Sequence, residues 1–168
     1  MNDSIVDKKL QDAVKRLISE EYFAYQLYLF SKMAVKKEDR GVLFQLFTEI
    51  AQDELDDHMK TLIDWCIEYN VDIPCSEAEF KKCAAVKISR QVSQLKKNKD
   101  AAYYLEEARK SEELAIASYK EVLDKDGVCQ FTDLQSILWK IYYEETEHLQ
   151  KIDTAKIAYD AGDDLIIG

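Results

Sequence analysis

Four long stretches of this chain place their apolar residues three and four apart, the spacing that lays one continuous stripe along an α-helix. The first covers about 5–36, with Val6, Leu10, Ala13, Val14, Leu17, Ala24 and Tyr28 on its stripe, and the second about 40–69, with Leu43, Phe47, Ala51, Leu62 and Cys66. The third covers about 100–124 (Leu105, Ala108, Ile116, Leu123) and the fourth about 131–160 (Leu134, Ile141, Ile152, Ala155). Four glycines and one proline in 168 residues are too few turn-formers for a sandwich or a barrel, so the expected fold class is all-α.

The connections set the topology. KKEDRG (36–41) and DKDGVCQ (124–130) are short polar turns, which predict two antiparallel hairpins. The piece 70–99 is too long for a plain loop. Within it SEAEF reads as a capping box opening a short helix, and Val86, Ile88, Val92 and Leu95 are placed to pack over the bundle. A connection of that length reaches from one end of a helical bundle to the other, so the third helix runs parallel to the second. The expectation is a four-helix bundle of two hairpins joined by one long crossover, with residues 1–168 as one domain. The tail DAGDDLIIG reads as a short extension used in packing between subunits.

A net charge of −10 opposes direct nucleic-acid binding, which needs a basic footprint, and suits attraction of cations. No stretch has the ~20 apolar residues that span a bilayer. The start MNDSIVDKKLQDAVKRL lacks a signal peptide's order of basic, apolar and small residues, so the expected location is cytoplasmic. Cys66, Cys75, Cys83 and Cys129 form no CxxC pair. They are expected as free thiols, two of them half-buried, with a redox role for Cys75 and Cys83 as the alternative.

The polar residues on the apolar stripes carry the chemistry. At about 100° per residue, Glu21 falls among Leu17, Ala24 and Tyr28, with Glu20 at the edge. Glu54 and His58 fall with Phe47, Ala51 and Leu62, while Asp53, Asp56 and Asp57 point away. Glu112 lies at the centre of the third stripe, and Glu145 and His148 lie with Ile141 and Ile152, with Glu144 at the edge. Counted from turns near 38 and 128, the four inward glutamates each lie about 16–17 residues away, which puts all six groups in one layer midway along the bundle. An isolated inward Glu commonly snorkels to water, and a lone inward His is commonly a hydrogen-bonded core residue. Six such groups together carry a heavy desolvation cost unless cations sit among them. Carboxylates and imidazoles without thiolates suit two adjacent iron or manganese ions.

At these residues the sequence resembles the ferritin-like di-iron carboxylate superfamily, whose ligand set is a Glu from each of two helices and Glu-x-x-His from each of the others. EEYFAYQLY (20–28) looks like the first-helix segment of bacterioferritins and Dps-like mini-ferritins, EIAQDELDDH (49–58) like the second, EELAIASYKEV (112–122) like the third and DLQSILWKIYYEETEH (133–148) like the fourth. The second helix departs from the family: Leu55 stands three before His58 and Glu54 four before it. Either an i,i+4 pair does the work or a one-residue π-bulge restores the register, and Asp57 is the alternative ligand. Leu55 replaces the haem-ligating Met of bacterioferritins, so no haem is expected; Leu114 stands where many Dps-like proteins carry a cysteine.

The resemblance implies a ferroxidase that oxidises Fe(II) with O2 or H2O2 for storage, detoxification and protection from oxidative stress. Two iron ions are the expected metals, with manganese as the alternative, and the expected assembly is a homo-oligomeric shell of twelve or twenty-four subunits. The implied ligands are Glu21, Glu54, His58, Glu112, Glu145 and His148, with Glu54 and Glu145 bridging. Tyr28 and Tyr119 either hydrogen-bond ligating carboxylates, donate an electron or serve as core aromatics. The other readings are a di-metal peroxidase, manganese catalase or oxygenase without storage, and a non-enzymatic helical interaction module.

Overall fold

A computed structural model describes residues 4–162. Among them there is no strand, and the long elements are α1 (Lys8–Ala34), α2 (Gly41–Asp53), α3 (Lys60–Glu68), α6 (Ala101–Leu123) and α7 (Thr132–Asp160). Between α2 and α3 the backbone widens into a π-helical segment, Glu54–Met59, so that Gly41 to Glu68 is one rod with a π turn in its middle. Two shorter helices, α4 (Glu77–Cys83) and α5 (Val86–Ser93), occupy the crossover. The tail predicted as a subunit-packing extension lies, from residue 163 onward, outside the described residues.

The ends of the helices reflect local chemistry. Asp7 and Asp100 cap α1 and α6 by accepting from the Leu10 and Tyr103 amides at 3.1 Å each. Arg40 donates to the Val35 and Met33 carbonyls at the end of α1, satisfying groups the helix leaves open. Gly127 takes φ 95° in the turn between α6 and α7, a conformation that favours glycine.

The crossover differs from the single short helix expected of it. Ser76 caps α4 by accepting from the Glu79 amide at 3.2 Å, and the Glu79 carboxylate reaches back to the Cys75 amide, so the capping box is present. Ala84 and Ala85 then adopt extended backbone, which stops α4 and starts α5. Ile88 is buried against Phe23 and Ala84, and Val92 and Leu95 are partly covered. Val86 is a correction: as the first residue of α5 it faces outward, 64% exposed. Cys66 is buried, Cys83 half-buried, and Cys75 and Cys129 exposed, all as free thiols, so one cysteine is more deeply buried than expected. Burial pushes the Cys66 thiol up to about 12, which keeps it inert.

Two apolar clusters fill the bundle. One joins Leu10, Val14 and Leu17 of α1, Leu62 and Trp65 of α3, Tyr119 and Val122 of α6, and Leu134 and Leu138 of α7. The other joins Tyr28 of α1, Leu43 and Phe47 of α2, Tyr104 and Leu105 of α6, and Ile152 of α7. The first cluster therefore holds the starts of α1 and α7 with the ends of α3 and α6, and the second holds the reverse. The second rod and α6 run parallel to each other, each antiparallel to its own hairpin partner, as the crossover length implies. Glu21, Glu54, Glu112 and Glu145 lie between the two clusters, at mid-height.

Candidate metal centre

Each of the six inward residues is at most 2% exposed. α1 supplies Glu21, the π turn Glu54 and His58, α6 Glu112, and α7 Glu145 and His148. The π turn explains how Glu54 and His58, four apart, share one inward face: a wider turn absorbs one extra residue without rotating the helix beyond it. It also turns Asp57 outward, where both its oxygens accept from Lys140 Nζ at 2.7 and 2.8 Å. The structure therefore brings His58, and not Asp57, into the cluster.

The two hairpins repeat each other. Glu21, Tyr28, Asp53 and Glu54 stand 91 positions before Glu112, Tyr119, Glu144 and Glu145, whereas His58 stands 90 before His148. The missing unit is the extra residue of the π turn. Ligand-type atoms of Glu21, Glu54, His58 and Glu145 lie within 4.8 Å of one another, and so do those of Glu54, Glu112, Glu145 and His148. Glu54 and Glu145 belong to both groups.

Both imidazoles turn Nδ1 toward the carboxylates. His58 Nδ1 is 3.3 Å from Glu54, 3.4 Å from Glu145 and 3.5 Å from Glu21. His148 Nδ1 is 3.2 Å from Glu145, 3.6 Å from Glu54 and 3.8 Å from Glu112. Their Nε2 atoms point the other way, His58 to Glu144 at 3.0 Å and His148 to Asp53 at 3.1 Å. These two carboxylates are additions to the expected site residues; Glu144 reads in sequence as an edge position and Asp53 as pointing away. Their signal in the sequence is an acid directly before Glu54 and before Glu145, at corresponding places in the two hairpins. Glu20, also read as an edge residue, is buried beside Arg16 and the Ala85 amide under the crossover.

The tyrosines pair across the bundle. The Tyr28 hydroxyl donates to Glu112 Oε1, and the Tyr119 hydroxyl donates to Glu21 Oε1. Burial and the adjacent carboxylates raise both phenols well above their usual range, so they stay protonated donors. Burial, then the Glu54 and Glu145 charges, raise Glu21 and Glu112 well above the carboxylate range. Burial works against the charged forms of Glu54 and Glu145 as well. The neighbouring Glu21, His148 and His58 groups nevertheless lower Glu54, and the His58 charge with the closeness of both imidazoles lowers Glu145. For His58, burial is outweighed by the Glu21 and Glu145 charges, which raise it well above its ordinary value. For His148, burial is outweighed by the bond to Glu145 and the adjacent Glu54 carboxylate, which raise it to about 10. Without metal the layer thus balances two imidazolium ions against Glu54 and Glu145, with Glu21 and Glu112 neutral.

That balance still leaves Glu21 Oε2, Glu54 Oε1, Glu112 Oε2 and Glu145 Oε1 buried without a hydrogen-bond partner. Each such atom costs about 1–3 kcal/mol. Four converging lone-pair donors with two imidazole nitrogens and no thiolate fit a pair of hard or borderline divalent cations. Beside Glu21, a small cavity lined by Ala24, Ile88, Ser111, Ala115 and Tyr119 holds about 10 Å³. That is room for about one water. Among the described residues no helix is long and apolar enough to cross a membrane.

The chain matches the family described as Ferritin-like domain over residues 11–156. Solved structures share its fold. The dodecameric thioferritin of Bacteroides fragilis, a bacterioferritin-related protein, is 24% identical with a TM-score of 0.74, covering 92% of this chain and 89% of its own. A ferritin-like diiron-carboxylate protein of Bacillus anthracis str. Ames is 22% identical with a TM-score of 0.67, covering 89% and 96%. The Dps protein of Vibrio cholerae O1 is 13% identical with a TM-score of 0.76, covering 88% of each chain. No curated protein sequence matches the chain.

Proposed function

We propose that this chain, which belongs to the ferritin-like domain family, takes Fe(II) as substrate at the layer of Glu21, Glu54, His58, Glu112, Glu145 and His148 and oxidises it with O2 or H2O2. The observation that carries the reading is the set of four buried carboxylate oxygens, one from each long rod, that converge with no hydrogen-bond partner. Glu54 and Glu145, common to both groups of ligand atoms, would be the residues shared by two ions held there. Glu21 with His58 completes one position and Glu112 with His148 the other.

Two Fe(II) ions supply two electrons, which with two protons reduce O2 to H2O2 or H2O2 to two waters, leaving two Fe(III). The chain's own part is to bind and orient. Tyr119 and Tyr28 hold one oxygen of Glu21 and of Glu112, leaving the other oxygen of each free for a cation. Glu144 and Asp53 hold the outer nitrogens of the imidazoles and so aim Nδ1 inward. Apolar clusters above and below exclude bulk water. The protein is a cytoplasmic, homo-oligomeric iron-storage and detoxification protein, with a twelve-subunit shell on the pattern of the dodecameric thioferritin.

The burial of all six side chains favours small reactants such as Fe(II), O2 and H2O2 over an organic substrate. The test is anaerobic Fe(II) titration of metal-free protein, followed by O2 or H2O2 and then by measurement of particle mass and iron content. Two ions per chain, their conversion to Fe(III), and iron uptake well beyond two per chain in a large oligomer are the expected results. A protein that binds no iron loses the whole reading. A small oligomer that holds two ions and no more is a di-metal peroxidase or oxygenase instead.

A further inference from the structure

The near-repeat of the two hairpins breaks at one place outside the cluster. Glu144, which accepts from His58, has Lys140 one turn before it on α7, with Nζ at 3.4 Å from Glu144 and at 2.7 Å from Asp57. The position that corresponds to Lys140 in the first hairpin, 91 earlier, is Glu49, one turn before Asp53. Asp53, which accepts from His148, therefore has a like charge where Glu144 has a cation, and among the described residues no lysine or arginine pairs with it. Glu49 takes its hydrogen bond from Gln45 instead. Burial differs in the same sense, with the Glu144 side chain 29% exposed and Asp53 52%.

We propose that Lys140 is a positioning residue that makes the two metal positions unequal, the Glu21–His58 position holding its ion more tightly than the Glu112–His148 position. The inference rests on the functional reading above. An imidazole whose outer N–H is held by an anchored carboxylate keeps its ring orientation and its basicity, and loss of such an outer partner typically costs about 10–100-fold in metal affinity. Glu144 is anchored by Lys140, which also pairs with the outward-turned Asp57. Asp53 has no such anchor, so the His148 imidazole turns more easily and its ion exchanges first. The pair of positions then works as a held ion beside a replaceable one, which suits a centre that must pass its product on.

The test is calorimetric titration of metal-free protein with Mn(II), repeated with anaerobic Fe(II). Wild type should bind two ions in two distinguishable steps of unequal affinity. K140A should weaken the tighter step by about two- to fivefold and leave the weaker step in place; K140R should restore it, and E49K should strengthen the weaker step. An E112A background, in which the Glu21–His58 position remains, should still show the K140A effect, and an E21A background should not. Melting curves of the metal-free variants identify any that fail to fold, in which case K140M replaces K140A. Two equal steps in wild type, or equal weakening of both by K140A, overturn this inference while leaving the functional reading standing. Absence of any metal binding in wild type overturns both.

Discussion

Tyr28 and Glu112 lie on different hairpins, yet the hydroxyl of the first donates to the carboxyl of the second, and Tyr119 and Glu21 reciprocate. The link crosses between α1 and α6 and ties the two halves of the molecule together at the layer where their charged groups meet. Each tyrosine comes seven residues after a cluster glutamate on its own helix, but a helical side chain leans toward the N-terminus, which brings the hydroxyl back to the level of the layer and across to the neighbour.

If these hydroxyls hold carboxyls in place, Tyr28→Phe and Tyr119→Phe should each destabilise the metal-free protein by roughly 1–3 kcal/mol, because each leaves a buried oxygen unpaired. Metal stoichiometry should be unchanged, since both aromatic rings remain. Urea unfolding with a metal count decides it. A loss under about 0.5 kcal/mol would reduce the tyrosines to core aromatics.

The π turn carries one residue more than the corresponding place on α7, and Leu55 within it is 38% exposed. Deleting Leu55 should convert the segment to ordinary α-helix, place Glu54 three before His58 as Glu145 is three before His148, and leave Lys60 onward in register. The expected variant folds, melts within a few degrees of wild type and still binds two ions. A deletion that unfolds the protein or empties the site would show that the π turn itself is required.

The stripes make both the helices and the inward residues legible, because a glutamate among Leu17, Ala24 and Tyr28 has no route to water on its own helix face. The register of the second rod is legible only as two options, since Glu-x-x-x-His fits an ordinary helix and a π turn equally well in sequence; the structure has the π turn, with Leu62 and Trp65 beyond it in the core cluster that includes Leu134 and Leu138 of α7. Asp53 escapes the helical wheel because the wheel gives the direction of Cβ, and a carboxylate at the rim reaches a ring nitrogen on the next helix by its own length. The crossover holds two short helices rather than one, and Ala84 and Ala85 between them carry no breaker signal. Their extended backbone comes from tertiary packing over Phe23.

The charge pattern of the metal-free layer separates its glutamates by role. Glu112 is held neutral by burial and neighbouring charge, so Glu112→Gln exchanges one neutral group for another of the same shape and should change metal-free stability by less than about 1 kcal/mol. Glu145 is ionised and faces both imidazoles, so Glu145→Gln leaves imidazolium charge uncompensated and should cost about 3 kcal/mol or more. Metal binding should respond in a different order: one ion lost in the Glu112 variant, both in the Glu145 variant. Denaturant unfolding and metal analysis of the two proteins side by side give both orders, and equal effects in either measurement would contradict the assignment.

Dependence on pH has a definite sign for the layer as a whole. His148, raised from 6.5 to about 10, contributes stability that is full below about pH 6.5 and fades as pH rises toward 10, and His58 moves in the same direction. Glu21 and Glu112, also raised, likewise favour the folded metal-free state less as pH climbs past the ordinary carboxylate value. Glu54 and Glu145, lowered, contribute stability above that value and lose it as pH falls. The layer's contribution to metal-free stability is therefore greatest near about pH 4.5, declines above it as Glu21 and Glu112 stay protonated, and falls more steeply past about pH 6.5, where the imidazoles join them. A bound cation must displace protons from Glu21, Glu112 and both imidazoles, so its affinity grows over the same alkaline range. The gap in melting temperature between Mn(II)-loaded and metal-free protein should accordingly widen from about pH 6 to about pH 9. Scanning calorimetry of the two forms across that range measures it, and a gap that stays constant or narrows would mean that these six side chains do not give up protons to a metal.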